Sequence, residues 1–436
     1  ATATASTAVA APAPAGSPTG AAVTAPTGTA AATSAPGTAT PRAVGSPGAA
    51  AQPGAAGTPV ATATVPARGT PAAAGLTLWH TWSGVEERAL KVAVFDYQQA
   101  SGGAAVALVH VPSDQAKQKL LAEAAAGRGP DLVLGPQEWL GDLAQARALA
   151  GVEDLDRGIL TELRGAAVDA NRLQGKVWGV PVAVEVVALW YNAEKVRTPP
   201  ADADALLRSA GDAGLALNSS FFWFFGFITA FGGRIFDENF RAVLDQGGTA
   251  EALAWLKAAK SSDDVTVEAN YGALATAFRG GRAGLIFDGP WAVTQYARSL
   301  GWERIGVAQP LKVTKTAKSF APFLKTKSLY FPARPTGTAP AALGLARFLV
   351  APNVQAAFAE AVGYVPSDRT VWPEDRIVQG FLSQAASSTR LPNEPEMMAV
   401  WKPAEQMIAR VLEGGADPPA AVKEATEAIN RANKKA

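Results

Sequence analysis

Large and charged side chains are distributed very unevenly along this chain, and that asymmetry decides where a core can form. Residues 1–75 contain no Asp, Glu, Lys or aromatic residue, and their only charges are Arg42 and Arg68. All 11 Trp residues follow this segment. A segment rich in Ala, Thr, Pro and Gly buries too little apolar surface to offset its ordering entropy. We therefore predict a disordered linker over residues 1–75 and a folded body after it.

The composition argues against several classes of function. With 39 basic and 38 acidic residues the net charge is +1, and no basic patch predicts a nucleic-acid partner. Cysteine is absent, which excludes disulfides, thiolate metal sites and a Cys nucleophile. The two histidines, His80 and His110, lack the spacing of metal ligands. We therefore expect no metal and no cofactor.

The hydropathy pattern bears on where the protein works. The longest apolar run, residues 221–231, is shorter than the roughly 20 residues of a membrane-spanning helix. A long Ala/Pro/Thr spacer before a globular body is typical of an exported protein. We therefore expect an extracellular, cell-surface or periplasmic protein. We also expect it to be tethered as a lipoprotein by an N-terminal anchor outside this sequence.

Strand and helix patterns alternate after the linker and indicate the fold class. Short apolar strands are predicted over 76–79, 106–111 and 132–134, with amphipathic helices over 86–99 and 114–126 between them. Further helical segments are predicted over 138–148 and around 160–170. This βαβαβ order predicts a parallel or mixed sheet covered by helices, hence an α/β fold.

The segment 278–291, FRGGRAGLIFDGPW, combines a buried strand with an abrupt break. Asp288, Gly289 and Pro290 end the strand, and Trp291 lies where the next helix begins. Open α/β folds bind ligands at such strand ends, and a Trp there offers a flat apolar face. Trp291 is therefore either a ligand contact or a ring that fills the gap between helix and sheet.

A second informative run, KVWGVPVAVEVVALWYN, covers residues 176–192 and predicts a long strand. Pro181 cannot donate a ladder hydrogen bond, which suits a sheet edge or a crossover. Glu185 is a lone carboxylate among apolar residues. It is either a ligand contact or a buried carboxylate paired at a hinge.

Four segments, taken in order, carry a resemblance to a known family. They are GPD at 129–131, GVPVAVEVVALWYN at 179–192, the 278–291 segment, and LPNEPEMMAVW at 391–401. Together they resemble the bacterial extracellular solute-binding proteins of ABC importers, the maltose-binding-protein-like group. The resemblance implies two α/β lobes joined by crossovers, with ligand bound in the cleft and closure by a hinge motion. The implied lobes are 76–183 plus 327–366, and 186–322 plus 368–436.

The resemblance also implies ligand-binding positions and no catalytic residue. The implied positions are two tryptophans of the cleft, a crossover carboxylate, an acidic sugar contact in lobe one with the Trp that follows it, an aromatic contact in lobe two, and two loops. They correspond to the following residues: Trp291, Trp401, Glu185, Glu138, Trp139, Trp82, Ser83, Phe222 and Tyr364. Some family positions differ. Gly135 stands where the family type has a lobe-one Trp, and Ser220 stands where it has a carboxylate. Lys402 and Glu405 replace a Tyr and an Arg, so the maltose contact set is not reproduced.

The implied function is the substrate-binding component of an ABC transporter. It would bind a sugar or oligosaccharide and deliver it to the transmembrane subunits of the importer, as a monomer without enzymatic activity. One alternative is a binder of a polyamine, a peptide or a glycerol-phosphate ester. Another is a carbohydrate-active enzyme, which would need two carboxylates about 5–10 Å apart, with Glu138 and Glu185 as the candidates.

Overall fold

The computed structural model describes residues 75–334 and 340–435, so the predicted linker over 1–75 lies outside the described residues except for Gly75. The described strands are β1 (Leu76–His80), β2 (Val106–His110), β3 (Leu132–Pro136), β4 (Arg172–Leu173), β5 (Lys176–Val177), β6 (Gly179–Glu185), β7 (Ala188–Asn192), β8 (Leu215–Asn218), β9 (Val265–Glu268), β10 (Leu285–Asp288), β11 (Ile305–Val307), β12 (Lys312–Val313), β13 (Lys318–Ser319), β14 (Phe323–Tyr330), β15 (Val365–Pro366) and β16 (Thr389–Arg390).

Helices fill most of the remaining described chain. The α-helices are α1 (Gly84–Ala100), α2 (Ser113–Ala125), α3 (Leu140–Gln145), α4 (Val152–Asp156), α5 (Gly165–Ala170), α6 (Ala203–Ala213), α7 (Phe221–Ala230), α8 (Thr249–Lys260), α9 (Tyr271–Arg279), α10 (Val293–Leu300), α11 (Pro340–Leu349), α12 (Pro352–Val362), α13 (Arg376–Ala386), α14 (Trp401–Leu412) and α15 (Pro418–Ala432). Short 3₁₀ helices cover Gln137–Trp139, Arg157–Leu160, Pro290–Ala292, Trp302–Arg304 and Pro395–Ala399.

One mixed sheet is built from four strands of the first part of the body and three strands that return from later in the chain. Its order is β15-β6-β14-β3-β1-β2, with β16 pairing β14. The β1 strand is parallel to β2 and β3, whereas β14 runs antiparallel to both β3 and β6. This confirms the predicted βαβαβ start. Its core includes Leu78, Leu90, Leu134 and Phe358, which are all at most 3% exposed.

A second sheet has the order β11-β7-β10-β8-β9. The β10 strand is parallel to β8 and antiparallel to β7. Its helices α7, α8, α14 and α15 pack together over a core rich in Phe, including Phe221, Phe224 and Phe227. The apolar run 221–231 is therefore mostly core, as its composition predicts.

The predicted long strand 176–192 is divided into two strands that belong to different sheets. Its β6 part lies in the first sheet and β7 in the second, so the chain passes between the sheets at Val186 and Val187. Pro181 lies outside the reach of β15, which pairs only with Ala183 and Val184. No residue of β15 lies opposite position 181, so a proline there loses no hydrogen bond to β15. This agrees with the predicted sheet edge.

Some local predictions were wrong in their limits. The helix predicted over 138–148 is a 3₁₀ turn followed by α3, which ends at Gln145. The stretch predicted as helical over 160–170 becomes α-helical only from Gly165. Short helices fray into 3₁₀ turns because few intrahelical bonds hold them. The limits of the two lobes themselves stay a prediction.

No described helix is by itself both long and apolar enough to cross a bilayer. Taken together, α11 and α12 have the length and apolar composition of a membrane-spanning segment, but the pair is bent by 56° where the two helices meet.

Candidate functional site

A cluster of charged side chains lies where β6 and β14 pair at the end of the first sheet. In this antiparallel ladder Lys325 is the partner of Glu185. The Lys325 Nζ lies 2.8 Å from Glu138 Oε1 and 3.4 Å from Glu185 Oε2. Lys327 Nζ lies 3.4 Å from Glu185 Oε1. Residues two apart on a strand share a face, so both lysines flank one carboxylate.

Lys325 and Glu138 hold each other in their ionised forms. Burial acts to lower the pKa of Lys325, but the carboxylates of Glu138 and Glu185 outweigh it, so that pKa lies above its ordinary value. Burial acts to raise the pKa of Glu138, yet Lys325 and Lys327 hold it below its ordinary value. Glu185 is only 2% exposed. Removing one partner from such a buried group would therefore be costly.

A second carboxylate continues the cluster toward α1. Ser83 and Glu86 form a capping box at the start of that helix. The Tyr364 hydroxyl donates a hydrogen bond to Glu86 Oε1. Burial raises the pKa of Glu86 and also that of Tyr364, whose hydroxyl lies close to Glu185 as well. Two of the predicted ligand residues, Ser83 and Tyr364, are thus linked through Glu86, and Tyr364 in turn lies beside Glu185.

Aromatic rings form a second cluster beside the end of β10. The Trp223 and Trp291 rings meet edge to face with centres 5.8 Å apart. Trp223 also stacks on Tyr271, with centres 5.4 Å apart. The three rings come from α7, the turn after β10, and α9, which are distant in sequence. All three side chains are half-buried, so they keep accessible surface for a partner.

Asp288 anchors this aromatic cluster from below. Its carboxylate is fully buried and accepts hydrogen bonds from Gly289 N at 2.7 Å, from the Tyr271 hydroxyl at 3.2 Å, and from the Tyr296 hydroxyl. Burial raises the pKa of Asp288 to about 7, although these hydrogen bonds act to lower it. The Trp291 ring lies so close over Gly289 that an added Cβ would come within 2.2 Å of it. Only glycine fits there.

The two clusters meet at Lys325, a place we call the junction. The Lys325 Nζ lies 5.3 Å from the ring centre of Phe222 and 5.8 Å from that of Trp291. Phe222 itself stacks on Phe323 with ring centres 6.0 Å apart. The distances from Lys325 Nζ to the Phe222 and Trp291 rings are both within the range of a cation–π attraction. The junction therefore brings Glu138 and Glu185 of the first sheet beside Phe222 and Trp291 of the second.

Trp401 lies at the edge of the same region. It begins α14 and contacts Phe221 and Phe323, with ring centres 6.0 and 6.1 Å away. Trp401 and Glu138 line a common cavity of about 120 Å³ between the segments 138–145 and 391–401. The cavity leaves both side chains accessible to a ligand of modest size.

Three predicted ligand residues lie in the core, and one of them is Tyr364, which is 2% exposed. Trp82 is 1% exposed, packs against Phe358 and Tyr364, and its Nε1 has no hydrogen-bond partner among the described residues. Trp139 is 6% exposed, and its ring covers Gly135 so closely that a Cβ there would lie 2.4 Å from it. Trp139 thus occupies the space of a side chain at position 135. Their roles as ligand contacts stay a prediction and would require movement.

Several residues of the site were not predicted from the sequence: Lys325, Lys327, Glu86, Trp223 and Tyr271. The two lysines alternate with Thr326 along β14, and this Lys-Thr-Lys alternation places both lysines on one face of the strand. Trp223 is hidden in an apolar helix whose composition indicates core. Glu86 lies in the first turn of α1, where it completes the capping box with Ser83, and its side chain also reaches Tyr364.

Within 75–334 and 340–435, no group of three or more His, Cys, Asp or Glu side chains has an arrangement that could hold a metal ion.

Comparison with known proteins places the chain in a family. The model of the family described as bacterial extracellular solute-binding protein matches residues 93–378. The maltotriose-binding protein of Pyrococcus abyssi is 27% identical over 310 residues, which cover 66% of this chain and 66% of that relative. The maltooligosaccharide ABC transporter solute-binding lipoprotein of Streptococcus pneumoniae is 25% identical over 338 residues, or 71% of this chain and 78% of the relative.

A solved structure supports the same assignment. The Thermus thermophilus maltotriose binding protein, bound with maltotriose, superposes with a TM-score of 0.68 at 27% identity, covering 82% of this chain and 100% of that one. The two-lobe α/β fold expected from the sequence is thereby confirmed. The chain belongs to the bacterial extracellular solute-binding proteins.

Proposed function

We propose that this chain is the extracellular substrate-binding component of an ABC transporter and captures a sugar of the maltooligosaccharide class between its two lobes. The observation that carries this proposal is the junction, where aromatic rings of the second sheet meet carboxylates of the first around Lys325. The named ligands of the relatives in P. abyssi, S. pneumoniae and T. thermophilus point to the same class.

The chemistry of the junction suits a sugar. Sugar rings present C–H faces that pack on Trp, and their hydroxyls need charged or amide partners at the ring edge. Trp291, Phe222 and Trp401 would supply the apolar faces, and Glu138 and Glu185 the acceptors. A ligand that touches both sheets would favour the closed arrangement of the lobes, since it binds that state better.

The contacts differ from those of the maltose-binding type. Glu405, which replaces an Arg of that type, accepts a hydrogen bond from Phe221 N at 2.9 Å and so caps α7. Gly135 is covered by Trp139. We therefore propose the sugar class and leave the number of rings to measurement.

One alternative ligand has a specific observation in its favour. Lys325 and Lys327 lie side by side at the junction, and a glycerol-phosphate ester would find two cations there. Both lysines are already paired with Glu185, which weakens that option. An enzymatic role is disfavoured because a general acid needs a raised pKa, whereas Glu138 has a lowered one.

We propose the following setting for this activity. The protein works outside the cell as a monomer, held by an N-terminal lipid anchor, with residues 1–75 as its spacer. The lobes are 76–183 plus 327–366 and 186–322 plus 368–436. The transmembrane subunits of the importer receive the sugar from the closed form.

Isothermal titration calorimetry tests the proposal directly. The protein is titrated with maltose, maltotriose, spermidine and glycerol 3-phosphate, and each mixture is then chromatographed for hydrolysis products. We expect saturable binding of a maltooligosaccharide, no heat from spermidine and no products. Tight binding of glycerol 3-phosphate without sugar binding, or release of shorter sugars, would overturn the proposal.

A further inference from the structure

We propose that Lys325 is a ligand-contacting residue that makes this site select neutral hydroxyl-bearing ligands and reject cationic ones. The inference rests on the proposed function and deepens it. It concerns a residue that lies at the only described point where the ion pairs of the first sheet reach ring faces of the second.

Lys325 and Glu185 have unused hydrogen-bonding capacity. An ammonium group has three donors, and Lys325 donates one hydrogen bond to Glu138 Oε1 at 2.8 Å. Glu185 Oε2 lies 3.4 Å from Nζ but has no hydrogen-bond partner among the described residues. Since Glu185 is 2% exposed, an unsatisfied oxygen there is costly. A donor and an acceptor are therefore left side by side.

A ligand hydroxyl fits the pair formed by Lys325 Nζ and Glu185 Oε2. A hydroxyl both donates and accepts, so a single ligand hydroxyl that reaches the buried Glu185 Oε2 when the lobes open would satisfy that oxygen and take a hydrogen bond from Lys325. A protonated amine only donates, and the lysine would repel it. The adjacent rings of Trp291 and Phe222 would otherwise favour a cation. Lys325 already occupies that role, because its ammonium faces both rings.

Lys327, on the same strand β14, provides a matched control for Lys325. Lys327 lies two residues on, pairs with the same Glu185 at 3.4 Å, and has a side chain 18% exposed against 16% for Lys325. Among the described cation–π contacts Lys327 makes none with Phe222 or Trp291. Loss of either lysine removes one charge beside Glu185, but only loss of Lys325 opens the junction to a cation.

The experiment compares wild type, Lys325→Met, Lys325→Arg and Lys327→Met in the full chain. Affinities for maltotriose and for spermidine are measured by calorimetry, and folding is followed by thermal unfolding. We expect Lys325→Met to weaken maltotriose binding by about 10- to 100-fold, as for loss of a hydrogen bond to a charged group. We also expect it to bind spermidine at least 10-fold more tightly than wild type. Lys325→Arg should keep the rejection of spermidine.

The outcomes separate the two proposals. If wild type binds no maltooligosaccharide, the proposed function fails. If wild type binds maltotriose but Lys325→Met changes both affinities by the same factor as Lys327→Met, Lys325 is only a structural ion-pair partner and the inference is wrong. If Lys325→Met retains maltotriose affinity within twofold, the ligand contact is likewise refuted.

Discussion

Replacing Asp288 by Asn should remove a pH dependence of folding that originates beneath the aromatic cluster. Asp288 is fully buried, and burial raises its pKa from the ordinary 3.8 to about 7. Between those two values the folded state holds a proton that the unfolded chain has released. Stability must therefore fall as pH rises through this window and level off above about 7, where the folded state has also lost the proton.

The size of the effect follows from the shift. A difference of about three pKa units, each worth about 1.4 kcal/mol, gives a loss of about 4 kcal/mol between pH 4 and pH 7 or above. Asn resembles the protonated acid in shape and cannot ionise. The Asp288→Asn variant should thus come within about 1 kcal/mol of wild type at pH 4.5 and exceed its unfolding free energy at pH 8 by about 4 kcal/mol.

Urea unfolding followed by Trp fluorescence measures this difference at pH 4.5, 6, 7 and 8. Every other titrating group is common to both proteins, so only the difference between the two curves matters. Parallel stability curves for the two proteins across the whole range would refute the reasoning.

Three further predictions concern the junction and its surroundings. Trp291→Ala and Trp401→Ala should each weaken maltotriose binding by about 1–3 kcal/mol in calorimetry while the fold survives, and normal binding by both would return these rings to the core. Gly289→Ala should weaken binding in a similar way because its Cβ would lie 2.2 Å from the Trp291 ring, whereas Gly165→Ala, with no atom within 4 Å, serves as the control. Glu185→Gln should lower the urea midpoint and weaken maltotriose binding by about 1–3 kcal/mol, since both flanking lysines lose their anion. X-ray scattering of that ligand-free variant should match wild type, and a changed shape would make Glu185 a structural hinge residue instead.

The sequence predicted the parts of the fold that depend on local patterns. The β1-α1-β2-α2-β3 start follows from alternating apolar periods, and the position of Trp291 follows from the strand break at Asp288, Gly289 and Pro290. Such features need only neighbours in the chain. The apolar pattern of the 176–192 run does not show that it divides between two sheets, because such a run carries no mark of which sheet pairs with it. Only the lobe limits implied by the resemblance, 76–183 and 186–322, divide this run.

The predicted site residues divide in a similar way. Glu138, Glu185, Trp291, Phe222 and Trp401 were all implied by the family resemblance, and they lie in one region because each stands at or beside the start or end of an element. Trp82 and Trp139 had equally good sequence arguments, yet both are buried. An exposed and a buried Trp can follow the same kind of strand, because burial depends on which side chains from other elements cover the ring. In this chain Phe358 and Tyr364 cover Trp82.

The junction shows why some contacts are beyond sequence reasoning. The β6–β14 ladder pairs Ser328 with Pro181 but Lys327 with Ala183, so one extra residue, Val182, is accommodated in β6. Without that irregularity Lys325 would oppose Val184 instead of Glu185. A one-residue slip moves every side chain of a strand to the other face of the sheet. The ion pairs that define the candidate site thus depend on the bulge at Val182, beside Pro181.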